Sequence, residues 1–65
     1  MEKEKLLSRR QTAVVELICQ GLTDKETGAR LNLSEETVGS CLKAVFQRYQ
    51  VHSRAALTAL WLENR

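Results

Sequence analysis

An all-α fold of four short helices is the architecture these 65 residues predict. Proline is absent, and glycine occurs only at Gly21, Gly28 and Gly39. Residues that start helices recur along the chain at Ser8, Thr23, Ser34 and Ser53. Apolar residues follow them at spacings of three and four, and the alternation of β-branched and aromatic residues that marks strands is missing.

Ser8 with Gln11 three residues later has the form of a reciprocal cap: the hydroxyl accepts from an exposed helical N–H while the glutamine reaches back. Val14, Leu17 and Ile18, with Ala13 beside them, supply an apolar stripe. Gly21 then suits the left-handed turn that ends a helix, so the first helix is expected over Arg9 to Gln20. Thr23 with Glu26 repeats the capping pattern and opens a helix of about two turns through Leu31. Asn32 follows, a residue that tolerates positive φ better than most.

Ser34 caps the third start, with Glu35 and Glu36 placed well against the positive end of a helix. Val38, Cys41, Leu42, Val45, Phe46 and Tyr49 then form the clearest stripe in the chain, and the third helix should be the longest. Ser53 opens the fourth, from Arg54 to about Glu63, with Leu57, Leu60 and Trp61 on one side. Residues 1–6 are expected to be a flexible lead-in, and residues 7–65 the folded domain.

Composition narrows the function. Hydrophobic residues at 43% and charged residues at 28% are a globular balance rather than a disordered one. A formal charge of +2 permits an anionic partner without demanding one. No apolar run reaches the ~20 residues that span a bilayer, and Met1 to Lys5 lacks the apolar stretch of a secretory signal, so the chain reads as cytoplasmic. Cys19 and Cys41 stand singly, with His52 as the one further soft ligand. That spacing argues against a metal site and for two buried thiols, with redox sensing as the alternative. No nucleophile–base pair or glycine-rich phosphate loop is present, which argues against an enzyme and against any cofactor.

Residues 24–43 hold the informative unit: a short helix, a turn of three to four residues and a longer helix, the dimensions of a helix-turn-helix. Two helices that cross closely need a small residue in the first, and Gly28 and Ala29 are there. Apolar anchors must flank the turn, and Leu31, Leu33 and Val38 do so. The second helix must keep one face free for a major groove about 12 Å wide. Glu36, Ser40, Lys43 and Gln47 lie opposite the apolar stripe and form such a face.

The stretch Leu7 to Val38 resembles the start of a LuxR/GerE-type (NarL/FixJ-like) domain, the C-terminal DNA-binding unit of many response regulators and quorum sensors. Leu7-Ser8, Arg10, Leu17-Ile18, Gly21-Leu22-Thr23, Lys25-Glu26, Leu31, Leu33-Ser34 and Thr37-Val38 carry the resemblance, which continues through Val45, Arg48, Val51 and Arg54 and covers about residues 7 to 62. It implies a four-helix, wingless helix-turn-helix that binds double-stranded DNA on the nucleoid in transcription control. The third helix would lie in the groove, and the fourth commonly contributes to a dimer. By motif position the base-facing residues are Gly39, Ser40 and Lys43, with Gln47 further along the same face. Lys25, Thr37, Arg48 and Arg54 fall to phosphates, and Leu57, Leu60 and Trp61 make a candidate homodimer face. No small molecule and no membrane is expected as a partner of this domain.

Departures from the family pattern are Gln11 for glutamate, Thr27 and Gly28 for isoleucine and alanine, Gly39 for lysine, Cys41 for histidine and Gln50 for glycine. Gly39 removes a groove contact, which keeps a second class open: a helix-turn-helix that acts as a protein-interaction domain. A module like sigma-factor region four is a third. Each side chain also has a plain structural reading. Thr37 completes the Ser34 cap, Arg10 pairs with a carboxylate such as Glu26, Arg54 steers the fourth helix, and Leu57 and Trp61 belong to the core.

Overall fold

The computed structural model describes residues 7–63. Among them are four helices and no strand: α1 Arg9–Cys19, α2 Asp24–Leu31, α3 Glu35–Tyr49 and α4 Arg54–Glu63. The expected lead-in and the last two residues lie outside this range.

All four helix starts form from side chains within the same turn. Ser8 Oγ accepts from Gln11 N–H at 3.1 Å while Gln11 Oε1 accepts from Ser8 N–H at 3.0 Å. Thr23 and Glu26 repeat the exchange at 3.1 and 2.9 Å. Ser34 Oγ accepts from Thr37 N–H at 3.0 Å, and Ser53 Oγ from Ala56 N–H at 3.1 Å. Each bond satisfies a backbone donor that the helix itself cannot.

The first three helices also stop by one device. A residue of positive φ follows the last turn, at Gly21 (φ 101), Asn32 (φ 61) and Gln50 (φ 58). The next N–H reaches back five residues: Leu22 to Leu17 O at 3.2 Å, Leu33 to Gly28 O at 2.8 Å, and Val51 to Phe46 O at 3.0 Å. This is the bond that closes a Schellman turn, with an apolar residue placed just beyond it. The first helix accordingly ends at Cys19, one residue earlier than expected, with Gln20 as its cap.

Gln50 is the unfavourable member of the three, because a left-handed residue with a Cβ costs about 1–2 kcal/mol. Gln50→Gly should therefore stabilise the domain by about 1 kcal/mol after the added entropy of the unfolded chain is subtracted. Its melting temperature should rise by about 4–8 °C. Thermal unfolding followed by circular dichroism reads this directly, and an unchanged or lower midpoint would mean the Gln50 side chain offsets its backbone strain.

α1 is the hub: it packs against α2, α3 and α4, and α2 packs on α3. The core is Leu7, Val14, Val15, Ile18, Val38, Leu42, Val45 and Leu57. In α1 the structure corrects the expected stripe. Val15 is fully buried, whereas Leu17 and Ala13 are only half-buried, because helices pack on both flanks of α1 rather than along one line. The two cysteines are free and half-buried rather than buried, at the margins of their helices' apolar faces. Thr27 faces the core, fully buried, and its hydroxyl has no hydrogen-bond partner among the described residues.

Gly28 meets the demand for a small residue at the crossing of α2 and the turn. A Cβ there would lie 2.5 Å from the carbonyl oxygen of Leu33, far inside van der Waals contact. Gly28 O also accepts the N–H groups of Asn32 and Leu33. A bare α-carbon thus lets the three-residue turn Asn32–Leu33–Ser34 fold back over α2, and that turn sets where α3 begins.

Candidate nucleic-acid interface

α3 is mounted by its inner face. Val38, Leu42 and Val45 are buried in the core, with Cys41, Phe46 and Tyr49 packed beside them. Its 15 residues run unbroken through Gly39, giving a rod of about 22 Å at 1.5 Å per residue. Glu36, Ser40, Lys43 and Gln47 step along the opposite face by four, three and four residues, and all are exposed. Ala44 shares that face and is exposed too, a position sequence reading passed over because alanine carries no polar signal.

Gly39 lies a quarter-turn from this row and is half-buried. A β-carbon there would meet nothing within 4 Å, so no neighbour among the described residues requires glycine at 39. Thr37 is half-buried, and its hydroxyl sits 2.8 Å from Ser34 Oγ, so the helix start already engages it. Lys25 and Arg48 are exposed, on α2 and at the far end of α3.

Arg54 has a partner within the chain. Its guanidinium pairs with the Asp24 carboxylate, with the Arg54 side chain 49% exposed and Asp24 24% exposed. The bond ties the first residue of α4 to the first residue of α2. A pair this accessible to water contributes no more than about 1 kcal/mol. Arg10 does not pair with Glu26, whose carboxylate is taken by Thr23 N–H. It lines a shallow depression instead, with Glu36, Thr37 and Ser40. Sequence reading did not place Arg10 beside the α3 row, because proximity between α1 and α3 depends on packing and not on spacing.

The fourth helix needs one correction. Leu57 is fully buried in the core and offers nothing to a partner, because its side of α4 is the side that packs on α1. Leu60 and Trp61 are half-buried, with Trp61 against the core. The outward row is Ala55, Ala59 and Leu62, all exposed, and Leu62 is the one large apolar side chain among the described residues to stand open, at 53%.

Comparison with known proteins settles the family. Residues 5–61 match the GerE family, described as bacterial regulatory proteins of the luxR family. The chain belongs to the luxR family of bacterial regulatory proteins. It is 39% identical over 58 residues to the nitrate/nitrite response regulator protein homolog of Haemophilus influenzae, a match covering 89% of this chain and 28% of that protein. It is 35% identical over 60 residues to the nitrate/nitrite response regulator protein NarP of Escherichia coli, covering 92% and 28%. This luxR-family chain thus spans little more than a quarter of the length of those relatives. No solved structure gave a significant match.

LuxR-family membership agrees with the four-helix, helix-turn-helix architecture and makes this a domain of the DNA-binding, transcription-regulating class. The family is one of regulators and not of enzymes. Among the described residues no helix is long and apolar enough to cross a membrane, and no group of three or more His, Cys, Asp or Glu side chains gathers where a metal ion could bind.

Proposed function

We propose that this domain binds double-stranded DNA sequence-specifically, with α3 in the major groove, to regulate transcription on the bacterial nucleoid. One observation carries the reading: the exposed row Glu36, Ser40, Lys43 and Gln47 lies opposite the buried face of an unbroken 15-residue helix. A helix held this way presents side chains at the depth a major groove accepts. Ser40, Lys43 and Gln47 face base edges, and Lys25, Arg48 and Thr37 lie toward phosphates. Arg54 reaches a phosphate only by sharing or leaving Asp24. Titration with duplex DNA at two salt concentrations tests the reading, because each phosphate neutralised adds about 0.9 to the slope of log affinity on log salt. Absence of salt-dependent binding would sink it.

Gly39→Lys separates this reading from the protein-interaction alternative. A β-carbon at position 39 meets no neighbour among the described residues, and replacing a helical glycine should stabilise α3 by up to about 1 kcal/mol. On the DNA reading, affinity rises as well, with a salt slope steeper by about one. A variant that is more stable yet binds DNA no better would point to another protein's surface approaching the backbone there. Thermal unfolding and DNA titration on the same pair of proteins decide it.

A homodimer on DNA is part of the proposal, through the Ala55, Ala59 and Leu62 row with Leu60 and Trp61 at its edge. Small residues allow close helix approach, and Leu62 supplies the exposed apolar area. Two half-sites about 10 base pairs apart, or a multiple of that, would follow. Leu62→Glu should convert cooperative binding at paired half-sites into independent binding while leaving single-site affinity unchanged. Sedimentation showing one protein per DNA across several spacings would rule the dimer out.

A further inference from the structure

We infer that Glu36 selects one base of the DNA site, by accepting a hydrogen bond from the exocyclic amine of cytosine. The inference rests on the DNA reading above and goes beyond it to a residue that no motif assigns. Glu36 is exposed in the first turn of α3. It lies one turn before Ser40 in the row that also holds Lys43 and Gln47. The first turns of a recognition helix are the ones that reach base edges. Arg10 lines the same depression, yet no ion pair joins it to Glu36, as the single ion pair among the described residues is Arg54 with Asp24. The Glu36 carboxylate makes no side-chain bond to any described residue, so it is free to accept one.

A free carboxylate is an unusual group on a surface that meets a polyanion. Phosphate repulsion disfavours every complex that leaves it unbonded. In the major groove only two base groups donate, cytosine N4 and adenine N6. Adenine presents the N7 acceptor beside its amine, which repels a second carboxylate oxygen, whereas cytosine presents no acceptor on that side of its amine. Glu36 therefore penalises non-cognate duplexes and releases the penalty where cytosine stands opposite it. Its value lies in discrimination more than in affinity.

Selection from a library of duplexes with a randomised central segment, followed by competition titrations, tests this with three proteins: the parent, E36Q and E36D. The parent should enrich a site with cytosine at one position. E36Q, whose amide suits adenine N6 and N7, should lose that cytosine preference by on the order of tenfold and move toward adenine, with the other positions unchanged. It should also bind random duplex more tightly than the parent does. E36D keeps the charge at the helix start but retracts it by one methylene, so it should keep the parent's melting temperature and relax the same base. If parent and variants enrich one site with identical preferences, the inference is overturned. If E36Q loses only thermal stability, Glu36 serves the helix start alone. If the parent enriches no site, the DNA reading itself fails, an outcome distinct from both.

Discussion

Gly28→Val should destabilise the domain by about 3 kcal/mol, close to everything a fold of this size has in reserve. The β-carbon alone would fall 2.5 Å from the Leu33 carbonyl oxygen. That oxygen belongs to the backbone of the turn, so no rotamer change can relieve the clash. The turn would have to lift away from α2, straining the bonds that Asn32 and Leu33 make to Gly28 O. A β-branched side chain also gains little of the helix propensity that Gly28→Ala would recover. Gly28→Ala should accordingly be the milder of the two. Urea unfolding of both variants against the parent is the measurement. Parent-like stability for the valine variant would show that the turn shifts freely and does not fix the start of α3.

Lys43→Ala should separate binding from folding. Lys43 is exposed and has no partner among the described residues, so its removal should change stability by no more than about 0.5 kcal/mol. Affinity for a selected duplex should nonetheless fall by about 1–3 kcal/mol, roughly five- to 150-fold, and the base preference at one position should relax. A phosphate contact at this position would instead weaken all sequences alike and lower the salt slope by about one. Titration against a selected and a scrambled duplex distinguishes those outcomes. Unchanged affinity and unchanged preference together would remove Lys43 from the interface.

Features set by neighbours in sequence were legible in advance. The caps at Ser8, Thr23, Ser34 and Ser53 are bonds across three residues, so a hydroxyl at the right offset was enough to read them. The long third helix and its outward row followed from a period that geometry fixes. Features set by packing between helices were not legible. Leu57 and Leu60 carry equal apolar weight in sequence, and only the seat of α4 on α1 decides that Leu57 is buried. Arg10 stands beside the outward row of α3 because the start of α1 lies against that helix, a proximity no local pattern encodes. Gln50 stands between these cases: the change from the family's usual glycine marked the position, but the left-handed backbone is visible only in the fold.

The row on the outer face of α3 plays no part in the core, which lies wholly on the other side of the same helix. Substitutions at Ser40, Lys43 and Gln47, all exposed, should therefore change stability by no more than about 0.5 kcal/mol each. A duplicated copy of the gene could drift along that row without passing through unfolded intermediates, each step altering what is recognised while stability stays level. The evolutionary path between target sites is thus short and open, whereas a branched side chain at Gly28 would strike the backbone of the turn at once.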